Sequence, residues 1–323
     1  MRTIAAIRTH HWGEDAERVY GQLHPVFGDD LVAVFHNRAP GFQPPLPVVD
    51  LNDAWVAGHG LRHVPDYGWR CGDYSYYALR EAYPDYDAYW LVEPDVYFTS
   101  DARPFFAAFD NVTTDALGYD LGPFDGYMRF VRGLTGIPVH RAIFCLTRLS
   151  GRAIDQLFRM RQDYSATAVP GRLFTNDELF VFSHAVSSAE LSTGRLEDTV
   201  PDWFEGSQFT PNPDLLLQQV ERTYPAGRVV HPVRGRGSYK AMAAARICEL
   251  NLLHNMRQQI RELDSAELTE IAELAAQRVE AELRLLALAR RLFGLERLAI
   301  ALDLGEVAFG DVDLAQVLER QQE

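Results

Sequence analysis

The segment Tyr89-Trp90-Leu91-Val92-Glu93-Pro94-Asp95-Val96-Tyr97 runs from an apolar stretch into two carboxylates one residue apart. The apolar part, Ala88–Val92, reads as a buried strand. In an open α/β sheet, ligands sit beyond the carboxyl ends of strands. Carboxylates placed there can hold a hard divalent cation such as Mg²⁺ or Mn²⁺, and the cation can grip phosphates. Pro94 has no N–H and interrupts sheet pairing where such a cation would need space. Later in the chain, His231-Pro232-Val233-Arg234 leads into a glycine-bearing stretch with Arg236 and Lys240. Flexible backbone plus cations could close over a diphosphate. Thr175-Asn176-Asp177-Glu178 opens a predicted helix, where acids are also favoured by the helix dipole alone.

The order of these pieces resembles the GT-A glycosyltransferases. The likeness is carried by Gly72-Asp73-Tyr74, the helix that follows, and the strand ending at Glu93-Pro94-Asp95-Val96. It extends loosely over residues 1–240. In that family an Asp-x-Asp-type motif ends a core strand and binds the metal–diphosphate of a nucleotide sugar; here the first acid is Glu93. The resemblance implies Asp95 as a direct metal ligand, with Glu93 on the ribose or a metal-bound water. It also implies His231 as a further ligand, and an imidazole suits Mn²⁺ better than Mg²⁺. Either Asp177 or Glu178 would be the base that takes the acceptor proton if the reaction inverts. Nucleotide contacts are expected from Arg8 and Thr9 after the first strand and from Asp50 near the end of the third. Arg70 and Asp73, before the metal motif, are expected to join them, with Arg234 and Lys240 on the diphosphate.

The elements that must position these residues alternate between strand and helix. Thr3–Ile7, Leu31–Phe35 and Pro47–Leu51 read as strands, and Glu14–Leu23 reads as a helix. Asp73 is the expected N-cap of a helix with Tyr76, Leu79 and Tyr83 at helical spacing. Ala116–Tyr119 and Ala142–Thr147 read as further strands. Ser150 caps a helix with Ile154, Leu157 and Phe158 on its apolar face. Gly122 to Gly136 and Glu197 to Pro213 read as loops, followed by a helix over Leu215–Arg222 and a strand over Arg228–Val230. This alternation predicts an α/β fold with a mainly parallel sheet flanked by helices, GT-A-like in kind.

From about Lys240 the composition changes: proline vanishes, and Ala, Leu, Glu, Arg and Gln dominate. Asp264-x-x-Glu267 has the spacing of a capping pair. Leu268, Ile271, Ala275, Val279, Leu283 and Leu286 recur at three and four residues, and Gly294 ends the run. A catalytic domain over 1–240 and a helical region over 241–323 are therefore expected. The helices need a partner for their apolar face, either the catalytic domain or a second copy in a homodimer.

The 323 residues carry 31 basic and 45 acidic side chains, a formal net charge of −14, which gives no general attraction for nucleic acid or anionic lipid. Three widely spaced cysteines, Cys71, Cys145 and Cys248, without a Cys-x-x-Cys, fit a reducing, cytoplasmic setting. No signal peptide or membrane span is expected, since no apolar run approaches the ~18 residues a spanning helix needs. Gly235-x-Gly237 lacks the context of a dinucleotide site, and no Walker loop or Gly-x-Ser-x-Gly occurs.

The reading is a metal-dependent transferase. It would move a sugar from a nucleoside-diphosphate sugar to a hydroxyl acceptor, a glycan or lipid-linked glycan, with Mn²⁺ or Mg²⁺. Two alternatives stand beside it. One is a nucleotidyltransferase on a related fold, which would normally show a glycine-rich loop after the first strand, where this chain has Arg8-Thr9-His10-His11-Trp12-Gly13. The other is a non-catalytic scaffold with a decayed site.

Overall fold

The computed structural model describes residues 1–64, 66–124, 131, 133–134, 136–168, 174–247 and 263–293. It divides into two compact units, Met1–Tyr239 and Lys240–Glu323.

The first unit opens with β1 (Thr3–Thr9), α1 (Glu14–Phe27), a 3₁₀ turn (Gly28–Asp30), β2 (Leu31–His36) and β3 (Val48–Leu51). Two short helices the sequence did not announce follow, α2 (Asp53–Gly58) and α3 (Tyr67–Arg70), then α4 (Asp73–Ala82). Next come β4 (Ala88–Val92), β5 (Tyr97–Phe98), α5 (Arg103–Ala107), β6 (Ala116–Pro123), β7 (His140–Ser150), α6 (Gly151–Thr167) and α7 (Asp177–Ser187). The unit continues with β8 (Thr193–Arg195), α8 (Leu196–Thr199), α9 (Pro201–Phe204), β9 (Leu215–Leu216), α10 (Leu217–Thr223), β10 (Val229–Val230) and β11 (Val233–Arg234). Helix α11 (Arg236–Ile247) starts in this unit.

Seven strands form one sheet in the order β3-β2-β1-β4-β7-β6-β8. The first four run parallel, β7 is antiparallel to both β4 and β6, and β8 returns parallel to β6. The class expected from the sequence, an α/β fold with a mainly parallel sheet flanked by helices, is the class observed. Strand β1 shows why its centre, Ile4-Ala5-Ala6-Ile7, is apolar: both faces are covered. Ile4 and Ala6 join the core that includes Val56, Leu79, Leu157 and Phe180 on one side. Ala5 and Ile7 join the core with Val19, Leu23, Phe105 and Phe106 on the other. In the second core Trp90 is 1% exposed, with the rings of Phe106 and Phe109 edge-on at 5.1 Å. Truncating such a side chain costs about 3–5 kcal/mol.

Several expected boundaries move. Helix α1 continues through Pro25 to Phe27. The stretch expected as loop after Glu197 contains the single-turn helices α8 and α9, whose Trp203 and Phe204 pack into the second core. Asp73 is not an N-cap. Gly72 holds that position in helical backbone with no side-chain cap, because the Asp73 carboxylate is committed elsewhere. Ser150 does cap α6, accepting from Ala153 N–H at 3.0 Å.

In the second unit the described helix is α12 (Ser265–Phe293). Its capping pair is formed as the spacing predicts: Glu267 N–H donates to Asp264 Oδ1 at 2.9 Å, and Asp264 N–H donates to Glu267 Oε2 at 3.0 Å. Ile271 and Ala275 are buried, while Leu268 and Val279 are exposed. Gly294 and Cys248 lie outside the described residues. No described helix is long and apolar enough to cross a membrane.

Candidate metal and base site

Strand β4 delivers Glu93 to the sheet edge, and a turn then delivers Asp95. Val96 N–H donates to the Glu93 carbonyl at 3.1 Å, closing a four-residue turn with Pro94 in its second position, where the ring's fixed φ favours the bend. Glu93 N–H donates to the Cys145 carbonyl on β7, and Val233 N–H donates to the Asp95 carbonyl, each at 2.8 Å. The second bond brings β11 and its neighbour His231 against the turn.

One ligand atom from each of Glu93, Asp95 and His231 lies within 4.8 Å of the others. Asp95 and His231 are both 7% exposed. His231 Nδ1 is 2.8 Å from the Thr210 carbonyl, an oxygen that can only accept, so Nδ1 carries a proton. Nε2 then faces Asp95 Oδ1 at 3.4 Å. That oxygen is buried without a hydrogen-bond partner. A buried carboxylate oxygen opposite an imidazole nitrogen needs a proton or a cation between them. Burial alone would lower the His231 pKa, but the Cys145 thiol and the Asp95 carboxylate beside it outweigh this and hold it well above its ordinary value. Burial would raise Asp95, yet His231 and Arg234 hold it below the usual carboxylate range. Two carboxylates and one imidazole whose free nitrogen is oriented by a backbone carbonyl fit a divalent cation.

Parallel pairing of β1 with β4 puts Ile7 opposite Val92, so Arg8 comes out beside Glu93. Arg8 Nη2 meets Glu93 Oε1 at 2.6 Å, and Nη1 meets Asp177 Oδ2 at 3.1 Å. Gly72 N–H donates to the same Asp177 oxygen at 2.8 Å. A Cβ on Gly72 would fall 1.4 Å from Arg8 Nη1 and 2.5 Å from Asp177 Oδ2, so the close approach requires glycine. Asp177 Oδ1 accepts from Glu178 N–H at 2.8 Å. Both Asp177 oxygens are thus in use, and burial, opposed by Arg8, brings its pKa up to about 6. Glu178 is half-buried; burial and then the Asp177 charge push it up to about 7.

The residues expected to contact the nucleotide are engaged with the protein itself. Arg8 and Thr9 lie inside β1, not in the loop after it. Arg8 is 8% exposed and is occupied by protein carboxylates, while Thr9 Oγ1 bonds the backbone of His11. Asp73 is 0% exposed and bound at 2.6 and 2.8 Å by the equally buried Arg161, so it offers no atom to a nucleotide. Arg70 pairs with Asp66 in its own turn at 2.9 Å. Asp50 is bound by Arg38 at 2.7 and 2.8 Å and lines a polar cavity of about 300 Å³ with Asn37, Pro40 and Asn52. Lys240 pairs with Glu270 inside the second unit.

Arg234 does reach the site, but through carboxylates. Its Nη2 is 3.0 Å from Asp95 Oδ2 and its Nε 2.5 Å from Asp214 Oδ1. The glycine-bearing stretch after it is fastened, contrary to the expected flexible flap: Gly235 N–H donates to Asp15 at 2.8 Å and Ser238 N–H to Glu14 at 2.5 Å. Residue order did not point to Asp15 or Asp214, and it marked Gly72 only as part of a helix start, not as the donor to Asp177. Asp15 looks like any acid in a first helical turn, and Asp214 sits in a stretch with no periodicity to mark it.

No protein-family model matches the sequence, and no curated protein matches it. Among solved structures the chain is similar to a protein of Bacillus anthracis assigned as a glucose-1-phosphate thymidylyltransferase. The identity is 10% over 60% of this chain and 86% of that one, with a TM-score of 0.36. It is similar to a glycosyltransferase involved in glycosylation of the major capsid of PBCV-1, with 9% identity over 68% and 86% and a TM-score of 0.34. It is also similar to mouse xyloside xylosyltransferase 1, with 11% identity over 71% and 97% and a TM-score of 0.37.

Proposed function

We propose that the chain is a metal-dependent glycosyltransferase acting on a nucleoside-diphosphate sugar. One observation carries this reading: Glu93, Asp95 and His231 converge at the carboxyl end of β4, where a buried Asp95 oxygen accepts no hydrogen bond and faces His231 Nε2 at 3.4 Å. A cation bound there, Mn²⁺ by preference because of the imidazole, would neutralise charge on the departing diphosphate. The polar cavity at Asp50 suits the nucleoside end of the donor.

Glu178 is the base of an inverting reaction. It takes the proton of the acceptor hydroxyl as that oxygen bonds to the anomeric carbon. The bond from that carbon to the diphosphate oxygen breaks, and its electron pair leaves on the nucleoside diphosphate. Asp177, with both oxygens engaged, positions the start of α7, and Arg8 ties it to Glu93. The acceptor is a hydroxyl compound, a glycan or lipid-linked glycan. The reading extends to a cytoplasmic setting, to a catalytic domain over 1–240, and to a helical region that pairs with a second copy.

Calorimetric titration with UDP and GDP, with Mn²⁺ and with EDTA, tests the reading. At least one nucleotide should bind more tightly with Mn²⁺. Binding that ignores the metal, or none at all, would favour a non-catalytic scaffold.

A further inference from the structure

Asp120, Arg141 and Phe124 form a polar and aromatic group that the metal cluster does not use. Strand β7 is antiparallel to β4 and β6 antiparallel to β7, so the end of β6 and the start of β7 lie at the carboxyl end of β4. Gly122 pairs with Arg141 there. The residue before Asp120, Tyr119, has its ring 5.0 Å from Phe209, which lies 5.6 Å from the His231 ring. The group therefore stands on the same rim as the metal cluster, linked to it by two aromatic rings.

The backbone is distorted to build this group. The β6–β7 register shifts between Gly118 and Tyr119 and again between Tyr119 and Gly122. Asp120 sits at φ +56°, which only one other described non-glycine residue, Asn37, matches in sign. Its N–H is held by Glu197 Oε1 at 3.0 Å. The distortion presents an ion pair: Asp120 Oδ2 meets Arg141 Nη2 at 3.1 Å, with side chains 57% and 31% exposed. The Arg141 guanidinium lies over the Phe124 ring, 5.5 Å from its centroid.

An exposed ion pair adds little to stability, so it does not repay a strained backbone. Its chemistry points outward. A carboxylate and a guanidinium side by side offer acceptor and donor to neighbouring hydroxyls, and an aromatic ring offers a surface to the C–H face of a sugar. Asp120 already offsets the charge of Arg141, which favours a neutral polyol over a phosphate. The Arg141 charge also lowers the Glu178 pKa against the effect of burial, so the group stands within electrostatic reach of the proposed base.

We infer that Asp120, Arg141 and Phe124 form the acceptor subsite and that the acceptor presents the vicinal hydroxyls of a sugar ring. The inference rests on the transferase reading for its role, but not for its ligand class. Saturation-transfer NMR with methyl β-glucoside, methyl β-galactoside and methyl α-mannoside, with and without UDP and Mn²⁺, tests it on the full chain. At least one glycoside should show transfer, and Arg141→Gln and Asp120→Gly should each weaken its binding by ~tenfold, the loss of one charge-assisted hydrogen bond. Asp120→Gly should keep or raise the melting temperature, because glycine adopts positive φ freely. Nucleotide titrations of both variants should match the parent. Glycoside signals equal in parent and variants, or none from the parent in any condition, would overturn the inference. Signals that depend on Arg141 in a protein that binds no nucleotide would uphold the sugar site and remove the transferase reading.

Discussion

Asp95 and His231 face each other across 3.4 Å in a buried pocket, with the imidazole's other nitrogen already bonded to the Thr210 carbonyl. Asp95 is held on its other oxygen by Arg234 at 3.0 Å, so the gap between the two side chains suits a positive charge. Mn²⁺ at a hundredfold excess over its dissociation constant should therefore stabilise the protein by about 2.7 kcal/mol. Asp95→Ala and His231→Ala should abolish that gain in thermal melts. An equal rise in parent and variants would place the ion elsewhere.

Glu178 is held up to about 7, so it is largely protonated below neutrality and cannot act as a base there. Transfer activity, as kcat/KM, should rise with pH and level off above about 7. Glu178→Gln should remove the limb along with most of the rate. The same shift affects stability with a definite sign. A carboxyl whose folded pKa lies above its ordinary 4.5 binds more protons folded than unfolded, so folding weakens as pH rises from about 4.5 to 7. Glu178→Gln should therefore melt higher than the parent at pH 8 and gain less at pH 5. A variant less stable than the parent at pH 8 would contradict the burial assigned to this carboxyl.

Gly72→Ala should damage the site without touching a proposed ligand. Its methyl would overlap Arg8 Nη1, releasing the guanidinium that ties Glu93 to Asp177. Overpacking of this kind costs about 1–3 kcal/mol. Activity should fall further than stability, because Asp177 sets the start of α7. Unchanged turnover in Gly72→Ala would detach Arg8 from catalysis.

Asp73 and Arg161 should prove to be a matter of folding. Both are fully buried, and Arg161 also donates to the Thr175 carbonyl at 2.9 Å and lies 3.7 Å from the Phe180 ring centroid. Removing one member of such a pair leaves a buried charge and costs about 3–5 kcal/mol. Urea titration of Arg161→Met should show a loss of that size, and Asp73→Leu with Arg161→Met together should lose less than the two single changes summed. Strict additivity would mean the pair does not interact.

What could be read from residue order differs from what needed folding. The parallel core was legible because Thr3–Ile7, Leu31–Phe35 and Ala88–Val92 are continuous apolar runs, which only a sheet covered on both faces demands. Glu93 and Asp95 were legible because they follow such a run directly. The fate of Asp73 was not, since an acid at a helix start looks alike whether it caps the helix or pairs with an arginine 88 residues on. Nor was the anchoring of the Gly235 N–H to Asp15 on α1, 220 residues earlier. The same limit hid the Asp120–Arg141 pair, built by register shifts that leave no periodic mark.

Pulsed EPR of Mn²⁺ bound to the protein reads the donor set itself. Electron spin-echo modulation should show one imidazole nitrogen coupled to the ion, with the coupling lost in His231→Ala and the bound ion lost in Asp95→Ala. Tight Mn²⁺ binding with no nitrogen coupling, or no tight binding at all, would contradict a metal held by Glu93, Asp95 and His231.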